Sequence, residues 1–346
     1  MHYTFRFILL SIICLSFPAS AQYKISNEAE YPQNIATFTK FFKSSPANSF
    51  IATAHKGESI SLDYKSFHNP KAMASVVIIQ GFSESFFKYQ EFIYDLYQNG
   101  LSVHIFNARG HGKSKLTSEP SVHVDDFNHY LSDLNLFLKH INLDKNQPKL
   151  IFAHSLGGAI ASRYLQVFPG QFDGAILSSP LIKMKTPPFP YFLAEAVVSF
   201  GDSLGFSESL AVGQSLPQNN WTLETANNQS KLRFEFYRKT SYSPELMPLR
   251  RAGATYGFLS QVFENSALLR QESEVKKIEV PILIAQAGND SWVVGEAQNN
   301  FCDIAPNCEI FLVEGAKHEI YHEADIYRKP YLNKILRFIN DNFKRP

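Results

Sequence analysis

The sequence predicts an α/β domain with a mostly parallel central sheet, helices on both faces, and an inserted cap. Three observations carry this. Strands are read at 75–81, 148–154, 172–179 and 280–288, and the continuous β-branched run 75–81 suits burial on both faces. Segments of helical spacing separate most of them, the rhythm of a parallel sheet covered on each side. The rhythm breaks once, over 181–254, and then resumes. A chain of 346 residues suffices for one large domain with such an insertion.

The elements follow in order. A helix is expected near Asn34–Lys43, before Pro46. "ISLDYKSF" (60–67) alternates like a half-buried strand, and "SVVIIQG" (75–81) is a buried one ending in glycine. A helix over Tyr89–Gln98 stops at Gly100. "LSVHIFNARGHG" (101–112) is a strand running into a glycine-rich loop. Phe127–Ile141 is an amphipathic helix, apolar at 127, 130, 131, 134, 137, 138 and 141. The strand "PKLIFAH" (148–154) leads into a small-residue helix to Phe168, and "FDGAILSS" (172–179) is the next strand. Residues 181–254, with "KTPPFPYF" and "QNNWTLETANNQ", read as a cap rather than another strand–helix unit. A helix at Tyr256–Leu269, the strands "VPILIAQAG" (280–288) and "EIFLVEG" (309–315), and a helix over Tyr331–Phe343 complete the core. The expected organisation is therefore a core of 22–180 and 255–346 around a cap of 181–254.

Composition excludes several classes. The chain is 45% apolar and 19% charged with a net charge of +1, an ordinary globular balance. Neither bulk disorder nor a polyanion-binding surface fits these figures, so no nucleic-acid partner is expected. The N-terminus, "MHYTFRFILLSIICLSFPASAQ", has a basic start at Arg6, an apolar run Phe7–Phe17 and the small residues Ala19-Ser20-Ala21. That is the pattern of a signal peptide over 1–21, cut after Ala21; the run is short for a membrane span of about 20 residues. A periplasmic or secreted protein is expected, with an uncleaved anchor as the alternative. Of three cysteines, Cys14 lies in the leader. In an oxidising compartment, Cys302 and Cys308 would close a small loop.

The chemistry lies at strand ends, where parallel sheets place ligand-handling residues. The strand at 148–154 exits into Ala153-His154-Ser155-Leu156-Gly157, a nucleophile elbow with alanine in place of the usual first glycine. Small residues are needed because the serine sits on a strained turn where neighbouring Cβ atoms clash. Ser155 also opens a helix, whose free amides favour developing negative charge. The strand at 280–288 exits into "AGNDSWVV" with Asp290, and the strand at 309–315 into "GAKHEIYHE" with His318. The order Ser, Asp, His from three strand exits is that of a hydrolase triad. His318 would take and return the serine proton, and Asp290 would orient and stabilise the imidazole. Glu323 and Asp325 are rival acids, but both follow the histidine and neither ends a strand. The expected oxyanion donors are the N–H of Leu156 and that of Phe82 in "QGFSES".

A competing motif overlaps the base. His318-Glu319-Ile320-Tyr321-His322 fits the zinc pattern H-E-x-x-H. That chemistry needs both histidines on a helix and a third ligand. His318 follows a strand end too closely, so the segment reads as a loop delivering one base, with His322 a surface or supporting residue. No metal or cofactor is expected.

"QGFSESFFKYQEFIYDLYQNG", "NARGHGKS", "AHSLGGAIASRYLQVFPG", "AGNDSWVV" and "GAKHEIYHE" together resemble the lysophospholipase and monoacylglycerol lipase branch of the α/β-hydrolases, closest to bacterial lysophospholipases. The likeness runs through most of 34–343. It implies the α/β-hydrolase fold, the triad Ser155, Asp290 and His318, and hydrolysis of the ester of a lipid bearing a single acyl chain. Gln80 stands where many members have histidine, and Asn107 replaces a common aspartate. The apolar cap segment 187–212 could shelter an acyl chain and touch a membrane or micelle. Three other readings share these features: a carboxylesterase for another ester, an acyltransferase with the same triad, and a lipid-binding protein that has lost catalysis.

Overall fold

The computed structural model describes residues 23–53, 57–115, 120–141 and 143–343; the expected leader, 1–21, lies outside them. The element order is α1 (Tyr31–Ser44), β1 (Asn48–Thr53), β2 (Ser59–Phe67), β3 (Ala74–Ile79), α2 (Gln90–Gln98), β4 (Leu101–Phe106), α3 (Asn128–Ile141), β5 (Lys149–His154), α4 (Leu156–Val167), β6 (Gly174–Ser178), α5 (Tyr191–Gly201), α6 (Lys231–Ser241), α7 (Tyr256–Leu269), α8 (Glu272–Val275), β7 (Ile282–Ala287), α9 (Gly295–Ile304), β8 (Cys308–Val313) and α10 (Asp325–Phe343).

The eight strands form one sheet in the order β1-β2-β4-β3-β5-β6-β7-β8. β1 pairs antiparallel with β2 and β2 with β4; from β4 to β8 every pairing is parallel. The run 75–81, read as a strand buried on both faces, is so: β3 is buried at every position, as are β4 and β6. Their two faces feed separate apolar layers. One joins α3, α4 and α7 around Leu134, Ile160 and Val262. The other joins α2 and α10 around Phe92, Ile93 and Ile335. Because strands β3 to β8 are parallel, their exit loops all open at one edge of the sheet, under the 181–254 segment.

Besides the short helix α8, the structure differs from the expected elements in four places. β1 is an additional edge strand whose short, half-exposed pattern gives a weak signal. α9 is an additional helix between β7 and β8. α10 starts at Asp325 rather than Tyr331 and contains Pro330; so near the helix start the proline removes a single backbone hydrogen bond. The 181–254 segment is not wholly irregular: it holds α5, a π-helical turn at Asp202–Phe206 and α6. Ser230 caps α6, accepting from the Arg233 N–H. Among the described residues no helix is long and apolar enough to cross a membrane.

Candidate active site

Ser155 directly follows β5 and precedes α4, with φ 51° and ψ −115°. A non-glycine residue at positive φ is strained, and the surroundings hold it there. Its N–H donates to the Ser178 carbonyl, and its carbonyl accepts from Gly158 (2.8 Å) and Leu181 (2.9 Å). Gly157 shows why the motif needs small residues. A Cβ there would lie 2.3 Å from the Ile79 carbonyl oxygen and 2.7 Å from that of Gln80. The first turn of α4 thus sits against the exit of β3, bringing Leu156 and Phe82 to neighbouring loops.

The β7 and β8 exits bring their residues to the same place. His318 Nε2 lies 2.8 Å from Ser155 Oγ, and His318 Nδ1 lies 2.7 Å from Asp290 Oδ2. The second oxygen of Asp290 accepts from the N–H groups of Trp292 (2.8 Å) and Val293 (3.1 Å). Burial raises the Asp290 carboxyl, but the hydrogen bond and charge of His318 and these two amides outweigh it and hold it below the ordinary range. All three side chains are largely shielded from water. The arrangement allows a hydroxyl proton to pass to an imidazole that a carboxylate orients.

The rival acids are engaged elsewhere. Glu323 accepts from the N–H groups of Gln229, Lys317 and Ala324. Asp325 pairs with Arg233 and Lys329. Both ring nitrogens of His318 face Ser155 and Asp290, so they are not turned toward His322, and a short 3-10 turn spans Ile320–His322. Of the two expectations for His322, a surface or a supporting residue, the structure excludes the first. His322 is buried, 3.3 Å from the Asn228 amide, with Tyr237 and Tyr321 around it. Burial first, then the cations Lys88, Arg233 and Arg328, hold it far below the usual histidine range. Glu319 is buried too, ion-paired with Lys88 at 2.5 Å.

The two departures from the family pattern find local partners. The Gln80 amide, oriented to satisfy both ends, donates to the Phe106 carbonyl and accepts from the Ala108 N–H. Asn107 donates to Asp63 on β2 and accepts from the Phe86 N–H (2.8 Å). The carboxylate missing at 107 is supplied from a neighbouring strand. Around the mouth, Trp292 Nε1 donates to Asn227 (2.7 Å) and Lys185 Nζ to the Asp290 carbonyl (2.6 Å). Sequence reasoning did not single out these two, nor Lys88; only their nearness to the motifs signalled them. Cys302 and Cys308 are joined by a disulfide with Cα atoms 5.2 Å apart, linking the end of α9 to the start of β8.

A family model described as "Serine aminopeptidase, S33" matches residues 70–325. The chain is 26% identical over 286 residues to "Probable lysophospholipase L2" of Haemophilus influenzae, covering 81% of this chain and 89% of that protein. It is 28% identical over 281 residues to "Lysophospholipase L2" of Escherichia coli, covering 77% and 80%. A crystal structure of a soluble variant of monoglyceride lipase from Saccharomyces cerevisiae superposes with a TM-score of 0.69 at 18% identity, over 86% of this chain and 96% of that one, which shows a common fold. The chain therefore belongs to the serine aminopeptidase S33 family of α/β-hydrolases.

Proposed function

We propose that this protein is a serine hydrolase that cleaves the carboxylic ester of a single-acyl-chain lipid, a lysophospholipid foremost, through Ser155, His318 and Asp290. The observation that carries the reading is the continuous hydrogen-bond chain from Ser155 Oγ to His318 to Asp290. In the neutral imidazole with its proton on Nδ1, Nε2 accepts the serine proton as Oγ attacks the ester carbonyl. Asp290 stabilises the imidazolium, and the N–H groups of Leu156 and Phe82 receive the oxyanion. The imidazolium then protonates the departing alkoxide. A water activated by the same histidine hydrolyses the acyl-enzyme and returns the proton to Ser155.

The cap supports a lipid substrate. Phe189, Phe192, Phe200, Leu204 and Phe206 are each more than half exposed, whereas Val198 of the same stretch is buried. Contiguous exposed apolar side chains mark an interaction surface, and here it adjoins the exit loops of the sheet. In our reading, residues 181–254 form a cap that meets a membrane or micelle while the acyl chain enters beneath. The Cys302–Cys308 pair and the 1–21 leader fit export to an oxidising compartment.

The test is hydrolysis of lysophosphatidylcholine, monoacylglycerol and short p-nitrophenyl esters by wild type and Ser155→Ala. Lysophospholipid turnover that Ser155→Ala abolishes is expected. Full activity in Ser155→Ala, or loss to a chelator with indifference to a serine-reactive phosphonate, would sink the triad. Turnover of short esters alone would sink the lipid assignment and leave the ester hydrolase.

A further inference from the structure

Beside the triad lie three buried charges that the reaction above does not use. Lys88 Nζ sits 3.1 Å from Glu84 and 2.5 Å from Glu319, and all three side chains are nearly sealed from water. Glu84 belongs to the loop after β3. Its carboxylate accepts from the Gly81 N–H (2.8 Å), one residue before the proposed oxyanion donor Phe82, and from the hydroxyls of Tyr89 (2.6 Å) and Tyr321 (2.7 Å). Glu319 directly follows the base. Its N–H donates to the Asn227 carbonyl, and its carboxylate accepts from the amides of Asn227 and Asn228, both in the cap segment. Tyr237 of the cap helix α6 lies under the Lys88 ammonium at 4.9 Å.

Burying two carboxylates and one ammonium is costly, and an apolar cluster of the same volume would stabilise the fold as well. What such a cluster supplies instead is direction, through short charge-assisted hydrogen bonds with fixed geometry. Each partner here reaches a different part of the site. Glu84 fixes Gly81, whose own Cβ position is only 2.8 Å from the His154 ring. That ring in turn packs 4.8 Å from the ring of His318. Glu319 fixes the backbone adjoining His318.

Resting on the reading of Ser155 as nucleophile, we propose that Lys88, with Glu84 and Glu319, is a positioning clamp. It sets the separation between the oxyanion loop and the loop carrying the base, and ties both to the cap. Burial disfavours the Glu84 carboxylate, yet Lys88, His154 and the two tyrosine hydroxyls hold it ionised well below the ordinary range.

The test compares wild type, Glu84→Gln and Glu319→Gln, each counted by active-site titration with a p-nitrophenyl alkylphosphonate. Either substitution leaves Lys88 paired with the other carboxylate, so the buried ammonium is not stranded. A misplacement approaching 1 Å lowers turnover by about 100-fold. Glu84→Gln is expected to lower kcat per titrated site by about 10- to 100-fold, to slow phosphonylation in parallel, and to leave KM nearly unchanged. Glu319→Gln should show a smaller loss with the same split, and it carries the test if Glu84→Gln does not fold. A kcat per titrated site within twofold of wild type in both variants overturns the clamp, as does a rise in KM at unchanged kcat. Wild type that the phosphonate fails to label overturns the nucleophile reading itself, and the clamp with it.

Discussion

Gly157→Ala is a single added methyl whose effect follows from the structure. Its Cβ would meet the Ile79 carbonyl oxygen at 2.3 Å and the Gln80 oxygen at 2.7 Å, where ordinary contact begins at 3.4 Å. Relief needs roughly 1 Å of separation. β3 cannot yield, because Ile79 is paired with Phe106 on one side and Ala153 on the other. The movement must come from the first turn of α4, with Ser155 and Leu156, or from the loop Gln80–Phe82. Either displaces the proposed nucleophile, Ser155, relative to the proposed oxyanion donors. A shift of about 1 Å costs about 100-fold in turnover, and overpacking of a buried site costs about 1–3 kcal/mol. The assay is kcat on a short p-nitrophenyl ester per phosphonate-titrated site, with a thermal melt alongside. We expect kcat near one hundredth of wild type and a melting point lower by several degrees. Ala153→Gly, which restores the commoner motif, is the control; it should keep kcat within about threefold and lose about 1 kcal/mol of stability. A Gly157→Ala enzyme with wild-type kcat would refute the argument that this contact sets the geometry.

Further outcomes are expected. His318→Ala should lose about 10⁴-fold or more in kcat. His322→Ala should keep most of it but melt earlier, since truncating a buried ring leaves a cavity worth about 2 kcal/mol or more; similar losses of kcat in both would revive the paired-histidine reading. Phe192→Ser/Phe200→Ser should weaken sedimentation with phosphatidylglycerol vesicles while sparing short-ester turnover, and unchanged vesicle binding would remove the cap from the membrane contact. Burial lowers His104, His111 and His154 to about 3, about 4 and about 4 from an ordinary 6.5. The unfolded chain takes up protons below pH 6.5 while the fold does not, so stability is full above that pH and falls as the medium turns acidic. At about 1.4 kcal/mol per pH unit below 6.5 for each histidine, about 6 kcal/mol is lost by pH 5, comparable with a whole domain's stability of about 5–15 kcal/mol. A urea midpoint unchanged between pH 7.5 and pH 5 would contradict this. Closing so short a loop, the Cys302–Cys308 bond should contribute about 2 kcal/mol; aerobically purified protein with two free thiols by mass would exclude it in solution.

How much of this was legible in the sequence depended on the range of the interactions. The nucleophile elbow is a local device: strand, strained turn and helix occupy one short stretch, so Ser155 announced itself. Asp290 and His318 were legible because each follows a strand by a few residues, and a parallel sheet sends all such exits to one edge. The clamp was not. Nothing in the local sequence singled out Lys88, and Glu319 read as part of a zinc motif; their pairing exists only once the β3 and β8 exits meet at the site. β1 was missed because an edge strand alternates weakly, and the start of α10 because Pro330 normally argues against a helix. Asn107 seemed to lack a carboxylate that Asp63, distant in the chain, turns out to supply.

The stretch from His318 to His322 shows how function divides among adjacent residues. A metal site would need its side chains to converge on one point. Here the loop leaves β8 and turns so that successive side chains diverge. His318 faces the β5 and β7 exits, and its ring is satisfied at both nitrogens. Glu319 faces Lys88 and the cap, and Tyr321 turns its hydroxyl to Glu84. His322 packs beneath Tyr237. Its lowered affinity for protons keeps it neutral beside Lys88, so it adds no charge to the balance there. In this reading, losing the Glu319 or Glu84 contacts tilts a loop whose first residue must stay within hydrogen-bond reach of Ser155. That coupling is the physical reason to expect substitutions at 84 or 319, which touch no reacting atom in this reading, to register in kcat rather than in KM.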